Sequence, residues 1–179
     1  MNRSSVHIQK LVYSALCLAL ALVLPFLTGQ IPEIGSMLCP MHIPVLLAGF
    51  LCGWPWGLAV GAIAPVLRSV IFHAPPMYPT ALGMMFELAA YGFFAGLIYR
   101  KLPKNLLNLY ISLVISMLLG RIVWGAAQIV LLGIKGSAFT FSAFISGAVT
   151  KAIPGIIIQL LLIPPIVLAL RKTGHMLNK

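Results

Sequence analysis

The sequence predicts an all-α integral membrane protein, a compact bundle of six transmembrane helices. Of its 179 residues, 61% are hydrophobic and 8% are charged, and its mean hydropathy is +1.06. A water-soluble domain carries about 25% charged residues, so a surface of this composition is suited to lipid and not to water. Six apolar runs fill almost the whole chain, which leaves no room for a separate soluble domain. We therefore expect a single membrane domain over residues 1–179.

The six apolar runs set the limits of the expected spans. Glycine, proline and basic residues interrupt the chain between them, and the runs cover residues 11–27, 42–52, 58–72, 80–99, 106–134 and 141–170. The second run is short, and Gly53–Gly57 is expected to turn it tightly into the third. Pro154, Pro164 and Pro165 predict kinks in the sixth span and not breaks. The basic tail after that span is expected to fray.

Lysine and arginine are distributed unevenly between the two ends of such a bundle. Lys135 alone falls on one side, and the other side receives Arg3, Lys10, Arg100, Lys101, Lys104, Arg171, Lys172 and Lys179. Cytoplasmic loops carry the excess of basic residues, so both termini are expected to face the cytoplasm. The first run has the flanks of a signal peptide, but it is long enough to span and five runs follow, so we expect it to be retained. The net charge of +10 is thus explained by topology, and no exposed basic segment indicates nucleic-acid binding.

Four charged residues fall within the expected spans: Arg68, Glu87, Arg121 and Lys151. A rise of about 1.5 Å per helical residue places all four in the outer half of the bundle. One acid and three bases leave a surplus of positive charge, and a buried cation without a partner is costly. We therefore expect an anion to enter the bundle. A ligand carboxylate fits this expectation, because arginine binds carboxylates through paired hydrogen bonds.

Helical spacing gathers polar and aromatic side chains around these charges. Arg121, Trp124 and Gln128 are spaced i, i+3 and i+7 in the fifth span and therefore share one helix face. The fourth and sixth spans show similar faces. A few polar groups on apolar and aromatic walls are typical of a small-molecule pocket. The expected substrate-binding residues are Arg68, Tyr78, Met84, Glu87, Tyr91, Arg121, Trp124, Gln128 and Lys151.

Some of these residues also have a purely structural interpretation. Arg68 and Glu87 could neutralise each other as a structural pair, and Trp124 and Met84 could serve only in helix packing. His42 lies at the start of a span and, like His73, is expected at the membrane interface and not in a metal site.

The sequence shows no hydrolytic or transfer chemistry. It has no pair of acids for acid–base catalysis, no HExxH, no P-loop and no GxSxG motif. Cys17, Cys39 and Cys52 are too few and too scattered for a disulfide framework or a metal site. We therefore expect neither an enzyme nor a bound cofactor.

Several segments resemble a known family. They are MHIPVLLAGFLCG at residues 41–53, the following APVLRS and PPMYPTALGMMFELAAYG, and the pair Ala15 and Ala19 in the first span. In these features the chain resembles the substrate-binding S components of energy-coupling factor (ECF) transporters, the vitamin importers of prokaryotes. The resemblance covers essentially the whole chain. It implies a six-helix subunit of the prokaryotic cell membrane that binds a vitamin near the outer surface and has no nucleotide site.

The resemblance also implies roles for residues outside the pocket. The loop over residues 28–41, with Glu33, Gly35 and Met37, would cover the substrate as a lid. Ala15 and Ala19 would dock on a transmembrane coupling subunit, which works with two ATPase subunits. Their small-xxx-small spacing is equally suited to packing within the bundle.

The identity of the substrate stays open at this point. The surplus of cations favours a small anionic vitamin such as pantothenate or nicotinate. A neutral ring such as pyridoxine or hydroxymethylpyrimidine fits if Glu87 pairs with one of the bases. Two further hypotheses are a self-sufficient secondary transporter or channel for a small organic solute, for which we find no internal repeat, and a structural membrane scaffold.

Overall fold

The computed structural model describes residues 3–28, 37–134, 136, 140–147 and 152–178, and all regular structure among them is helical. The helices are α1 (Arg3–Val23), α2 (His42–Cys52), α3 (Trp54–Phe72), α4 (Leu82–Lys101), α5 (Leu106–Ile134), α6 (Phe141–Ile145) and α7 (Ile153–Lys172). A 3₁₀ turn, Leu24–Thr28, follows α1, and a π-helical turn, Met77–Ala81, leads into α4.

The expected membrane bundle is confirmed as an all-helical structure with several helices long enough to span. Within the described residues, five apolar segments reach that length: Ser4–Leu27, Trp54–Phe72, Met77–Lys101, Leu106–Ile134 and Ile153–Lys172. The boundaries of α2 and α5 coincide with the expected spans. The sixth span and the orientation in the membrane stay predictions.

Helix α2 is the short apolar run, and its 11 residues are too few to cross a bilayer alone. Ten of them are buried, because α1, α3, α4 and α7 all contact this helix. Its length is therefore explained by its position inside the bundle, where protein and not lipid surrounds it.

Two described helices fall within the expected sixth span, the short helix α6 and the longer helix α7. Pro154 lies in the first turn of α7, where the missing N–H group has no helical partner to lose. The expected kink at Pro154 stays a prediction, because residues 148–151 lie outside the described residues. Pro164 and Pro165 do lie inside α7.

The expected tight turn over Gly53–Gly57 is reduced to Gly53 alone. Gly53 adopts φ 97° and ψ 171°, a conformation that glycine tolerates because it lacks a Cβ. Trp54 and Pro55 already belong to the first turn of α3. The chain thus reverses between α2 and α3 within one residue, which holds the two helices side by side.

Glycines allow α2, α3 and α4 to pack with their backbones in contact. A Cβ atom added to Gly92 in α4 would lie against the backbone of Gly57 in α3, and one added to Gly49 in α2 would lie against Gly92. Farther along the same contact, Gly61 faces the backbone of Leu88. Close approach over small residues is how helices associate in lipid, where burial from water contributes little. We call α2, α3 and α4 the glycine-packed trio.

The C-terminal tail is ordered against this trio, so the expectation that it frays is wrong for residues up to 178. The Leu177 amide donates to the Leu51 carbonyl at 2.9 Å, which satisfies a carbonyl left free at the end of α2. The buried Asn178 Nδ2 donates to the Gly96 carbonyl at 3.1 Å and to the Gly49 carbonyl at 3.4 Å. We call the end of the bundle that carries Lys104, Arg171 and the C-terminal tail the basic end.

Substitution of Gly92 tests the backbone contact of the trio. We expect Gly92→Ala to lower the free energy of unfolding in detergent by about 1–3 kcal/mol, because the new methyl group overpacks a backbone contact. Gly133→Ala is the matched control, since no atom lies within 4 Å of the added Cβ on this exposed α5 glycine. Gly133→Ala should leave the free energy of unfolding unchanged or raise it. Equal stability of the two variants in a thermal unfolding assay would contradict the packing argument.

Candidate functional site

The centre of the candidate site is an ion pair between α4 and α5. Nη1 of Arg121 lies 2.8 Å from Oε1 of Glu87, and the two side chains are 13% and 3% exposed. Glu87 lies in the second turn of α4, and Arg121 lies near the middle of α5. A charge without a partner in such a place would be strongly destabilising, so each residue stabilises the burial of the other.

Two further side chains surround the Glu87 carboxylate. Nε2 of His42, at the start of α2, lies 3.4 Å from the same Oε1 atom. Tyr91 lies one helical turn beyond Glu87, interacts with the carboxylate, and packs its ring on His42 with a centroid distance of 5.0 Å. His42, Glu87 and Tyr91 are all almost fully buried. Three helices thus contribute to one polar cluster inside an apolar bundle.

The fifth member of the cluster is Cys39, which precedes α2. Nη2 of Arg121 donates to the Cys39 Sγ atom at 3.7 Å, and Cys39 itself is buried. A thiol is a weak acceptor, so this contact replaces little of the hydration that the guanidinium loses on burial. We call Cys39, His42, Glu87, Tyr91 and Arg121 the charged cluster.

Two nitrogen atoms of the charged cluster have no hydrogen-bond partner among the described residues. They are Nε of Arg121 and Nδ1 of His42, and both are buried. Leaving such a group unsatisfied costs about 1–3 kcal/mol, more where it is charged. The Nε atom and the weakly engaged Nη2 atom form one edge of the guanidinium, the edge that can hold a carboxylate by two parallel hydrogen bonds.

An aromatic wall continues from the charged cluster along α5. Trp124 stacks on Phe144 of α6, with ring centroids 6.2 Å apart and an angle of 28° between the planes. Gln128 is buried one turn farther, and its amide and the Trp124 ring both approach Gly83 of α4. Met84 is half-buried and packs against the hydrophobic core. Trp124 and Gln128 thus face α4 from the same side of α5 as Arg121, as the helical spacing predicts.

A family model described as "ECF transporter, substrate-specific component" matches residues 9–167 of this chain. The chain belongs to this family. No curated protein and no solved structure matches it. As a substrate-specific component it is a membrane transporter subunit, not an enzyme, that binds a small substrate and works with the ECF membrane and ATPase subunits.

Arg68 of this substrate-specific component is buried, but its contacts lie outside the charged cluster. Its Nη1 donates to the Leu22 carbonyl at 2.5 Å, and its guanidinium lies 5.0 and 5.4 Å from the ring centroids of Phe26 and Phe72. Cation–π contacts of this kind stabilise a cation without an acid. Glu87 pairs with Arg121 and His42. The alternative in which Arg68 and Glu87 form a structural pair is therefore wrong.

The remaining predicted residues of the substrate-specific component have varied positions. Tyr78 is 38% exposed and donates to the Leu131 carbonyl, which ties the π-helical turn to the end of α5. Met37 is 42% exposed, and its carbonyl approaches Gly155 at the start of α7. Ala15 and Ala19 are both exposed on α1. Glu33, Gly35 and Lys151 lie outside the described residues.

Sequence reasoning missed three residues that the structure brings to this region. His42 is 3% exposed and contacts the Glu87 carboxylate, a role that its expected position at the membrane interface does not suggest. Cys39 appears in the sequence analysis only as unsuited to a disulfide framework or a metal site, and Phe144 is not singled out within the apolar sixth run. Glu87 offered a signal for His42, because a fully buried carboxylate needs more than one hydrogen-bond donor.

A double-mutant cycle tests whether the charged cluster depends on the ion pair. We expect Glu87→Leu and Arg121→Met each to lower the free energy of unfolding by about 3–5 kcal/mol, because each leaves a buried charge without its partner. The double variant should lose much less than the sum of the two, since no charge is left unpaired. Thermal unfolding in detergent without substrate gives the measurement. Strictly additive losses would show that the two side chains act independently.

Proposed function

We propose that this substrate-specific component captures a small anionic vitamin, such as pantothenate or nicotinate, on the guanidinium of Arg121. The binding region lies in the half of the bundle away from the basic end. The captured vitamin then passes to the coupling and ATPase subunits, which drive its import across a prokaryotic cell membrane. Membership of the family favours this energy-coupled importer over a self-sufficient transporter, a channel or a scaffold.

The observation that carries the proposal is the unsatisfied edge of Arg121. Glu87 occupies Nη1, which fixes the orientation of the guanidinium. Among the described residues, Nε has no hydrogen-bond partner and Nη2 donates to the Cys39 thiol. A ligand carboxylate would satisfy both nitrogens and displace the weaker thiol contact. Charge-assisted hydrogen bonds of this kind contribute about 1.5–3 kcal/mol each.

Aromatic rings on α5 and α6 fit the rest of such a ligand. Trp124 and Phe144 stack on each other, and Gly147 lies against the Trp124 ring. Lys151 is proposed as the second cation for the substrate. Met37 and the preceding residues 28–36, including Glu33 and Gly35, are proposed as the lid.

A neutral ring such as pyridoxine or hydroxymethylpyrimidine is the second candidate substrate. Glu87 already neutralises Arg121, so the charged cluster has no net charge when His42 is neutral. The unpaired Nδ1 of His42 could then accept a hydrogen bond from, or donate one to, a ring substituent. Arg68 adds nothing to the attraction of an anion, because Phe26, Phe72 and the Leu22 carbonyl already surround it.

Matched ligand pairs distinguish the two candidates. We expect nicotinate or pantothenate to bind the purified component at least about tenfold more tightly than its neutral counterpart, nicotinamide or pantothenol, because only the acid can use the Arg121 edge. Arg121→Lys should abolish that preference, since an ammonium group cannot bind a carboxylate through a planar edge. Arg68→Lys is the control and should keep it. Tighter binding of pyridoxine or hydroxymethylpyrimidine than of either acid would replace the first candidate with the second.

We further propose that the basic end faces the cytoplasm and that α1 carries the docking surface. Within the described residues, Lys10, Lys104 and Arg171 lie at that end, and basic residues are retained on the cytoplasmic side. Ala15 and Ala19 are exposed on α1, where the exposed residues between Ile8 and Val23 are otherwise large and apolar. Small residues on such a face allow a partner helix to approach closely.

Bulky substitutions test the docking surface. We expect Ala15→Trp or Ala19→Trp to leave substrate affinity unchanged and to block uptake by cells that supply the coupling and ATPase subunits. Leu20→Trp is the control, because Leu20 is 40% exposed on the same helix and lies about 140° around it from Ala15. The control should transport normally. Normal uptake by both alanine variants would remove this face from the docking surface.

A further inference from the structure

Two adjoining grooves open at the basic end, away from the charged cluster. The larger has a volume of about 600 Å³ and runs along the end of α7, lined by Pro165, Leu168, Ala169, Arg171 and Lys172. The smaller, of about 340 Å³, is lined by Tyr99, Lys104, Arg171, Met176 and Asn178. Arg171 lines both grooves, so a single molecule could occupy the two together. Both grooves expose mainly apolar surface, and each is lined by two cations: Arg171 and Lys172 in the larger, Lys104 and Arg171 in the smaller. In the larger groove, Pro165, Leu168 and Ala169 continue the lining away from these cations.

Within the part of the chain that the structure describes, the cations of the smaller groove contact neutral groups only. Lys104 donates to the Tyr99 carbonyl, and its Nζ atom lies 4.2 Å from the centroid of the Tyr99 ring. Nη1 of Arg171 donates to the Lys104 carbonyl. No carboxylate of a described residue lies within ion-pair distance of either side chain. Several donor hydrogens on these two residues therefore remain available to an anion.

The surroundings of Lys104 strengthen the attraction for an anion. Partial burial, with Arg171 and Arg100 nearby, lowers the pKa of the Lys104 ammonium group. The positive charges are thus held close together against their mutual repulsion. An anion placed between Lys104 and Arg171 would relieve that repulsion, which a neutral ligand could not do.

We propose that the two grooves bind one anionic phospholipid, with its phosphate between Lys104 and Arg171 and an acyl chain in the apolar groove along α7. The arrangement matches the chemistry of such a lipid, because the basic residues at the end of α7 continue into an apolar stretch of groove lined by Pro165, Leu168 and Ala169. Basic pockets between membrane helices are known sites for acidic headgroups. The lipid would join α7, the C-terminal tail and the connection between α4 and α5.

Native mass spectrometry of the complete chain, released from nanodiscs of mixed phosphatidylglycerol and phosphatidylcholine with identical acyl chains, tests the site. We expect one retained phosphatidylglycerol, favoured over phosphatidylcholine by about tenfold or more, given two basic contacts to the headgroup. The double variant K104Q/R171Q should lose this preference. Lys101→Gln, which removes an exposed charge at the same end but outside both grooves, should keep it.

A second variant tests the proposal even if the double variant folds poorly. Ala169→Trp fills the apolar part of the larger groove and leaves every charge in place. It should reduce retention of phosphatidylglycerol as strongly as K104Q/R171Q does. Millimolar inorganic phosphate should not displace the lipid, because the acyl chain contributes to its binding; displacement would assign the site to free phosphate and overturn the proposal. Equal retention of the two lipids by the unmodified chain would also overturn it. So would undiminished retention by Ala169→Trp.

Discussion

The candidate site depends on one interaction, the buried ion pair between Glu87 and Arg121. Within the described residues Glu87 is the only acid, so Arg121 would otherwise be a lone cation deep in an apolar bundle. The pair joins α4 to α5, while His42 connects the same carboxylate to α2. Its Coulomb attraction is strong because little water reaches it, and for the same reason the loss of either partner is costly. The positions of three helices are therefore coupled through one carboxylate.

The same pair is compatible with the role proposed for Arg121. If Glu87 engaged the whole guanidinium, no donor would remain for a substrate. Because Glu87 engages Nη1 alone and Nη2 contacts a weakly accepting thiol, the charge of the guanidinium is balanced while its hydrogen-bonding capacity is only partly used among the described residues. The proposed ligand would then be recognised by geometry, which distinguishes a planar carboxylate from other anions better than charge alone.

The sequence was sufficient for the membrane class, the limits of α2 and α5, and the helix face that carries Arg121, Trp124 and Gln128. These features follow from local composition and from helical spacing. The pairing of charges could not be obtained in that way, because depth in the membrane does not specify which side of a helix faces which neighbour. Arg68 and Arg121 are expected at similar depths, yet Arg68 contacts the end of α1 and Arg121 contacts Glu87. Likewise, only the three-dimensional structure shows that the polar C-terminal tail donates hydrogen bonds to carbonyls of the trio.

The contact between Gly49, Gly57 and Gly92 has a consequence for motion. Helices that touch through their backbones have no flexible side chains between them to absorb sliding, so the trio is expected to move as one rigid body. The tail strengthens this body, since Asn178 bridges carbonyls of α2 and α4. Displacements during a transport cycle must then occur at its borders with α1, α5 and α7. At the α5 border, a shift by one helical turn would pull Arg121 away from Glu87, so motion of α5 would be mechanically linked to the loss of the ion pair.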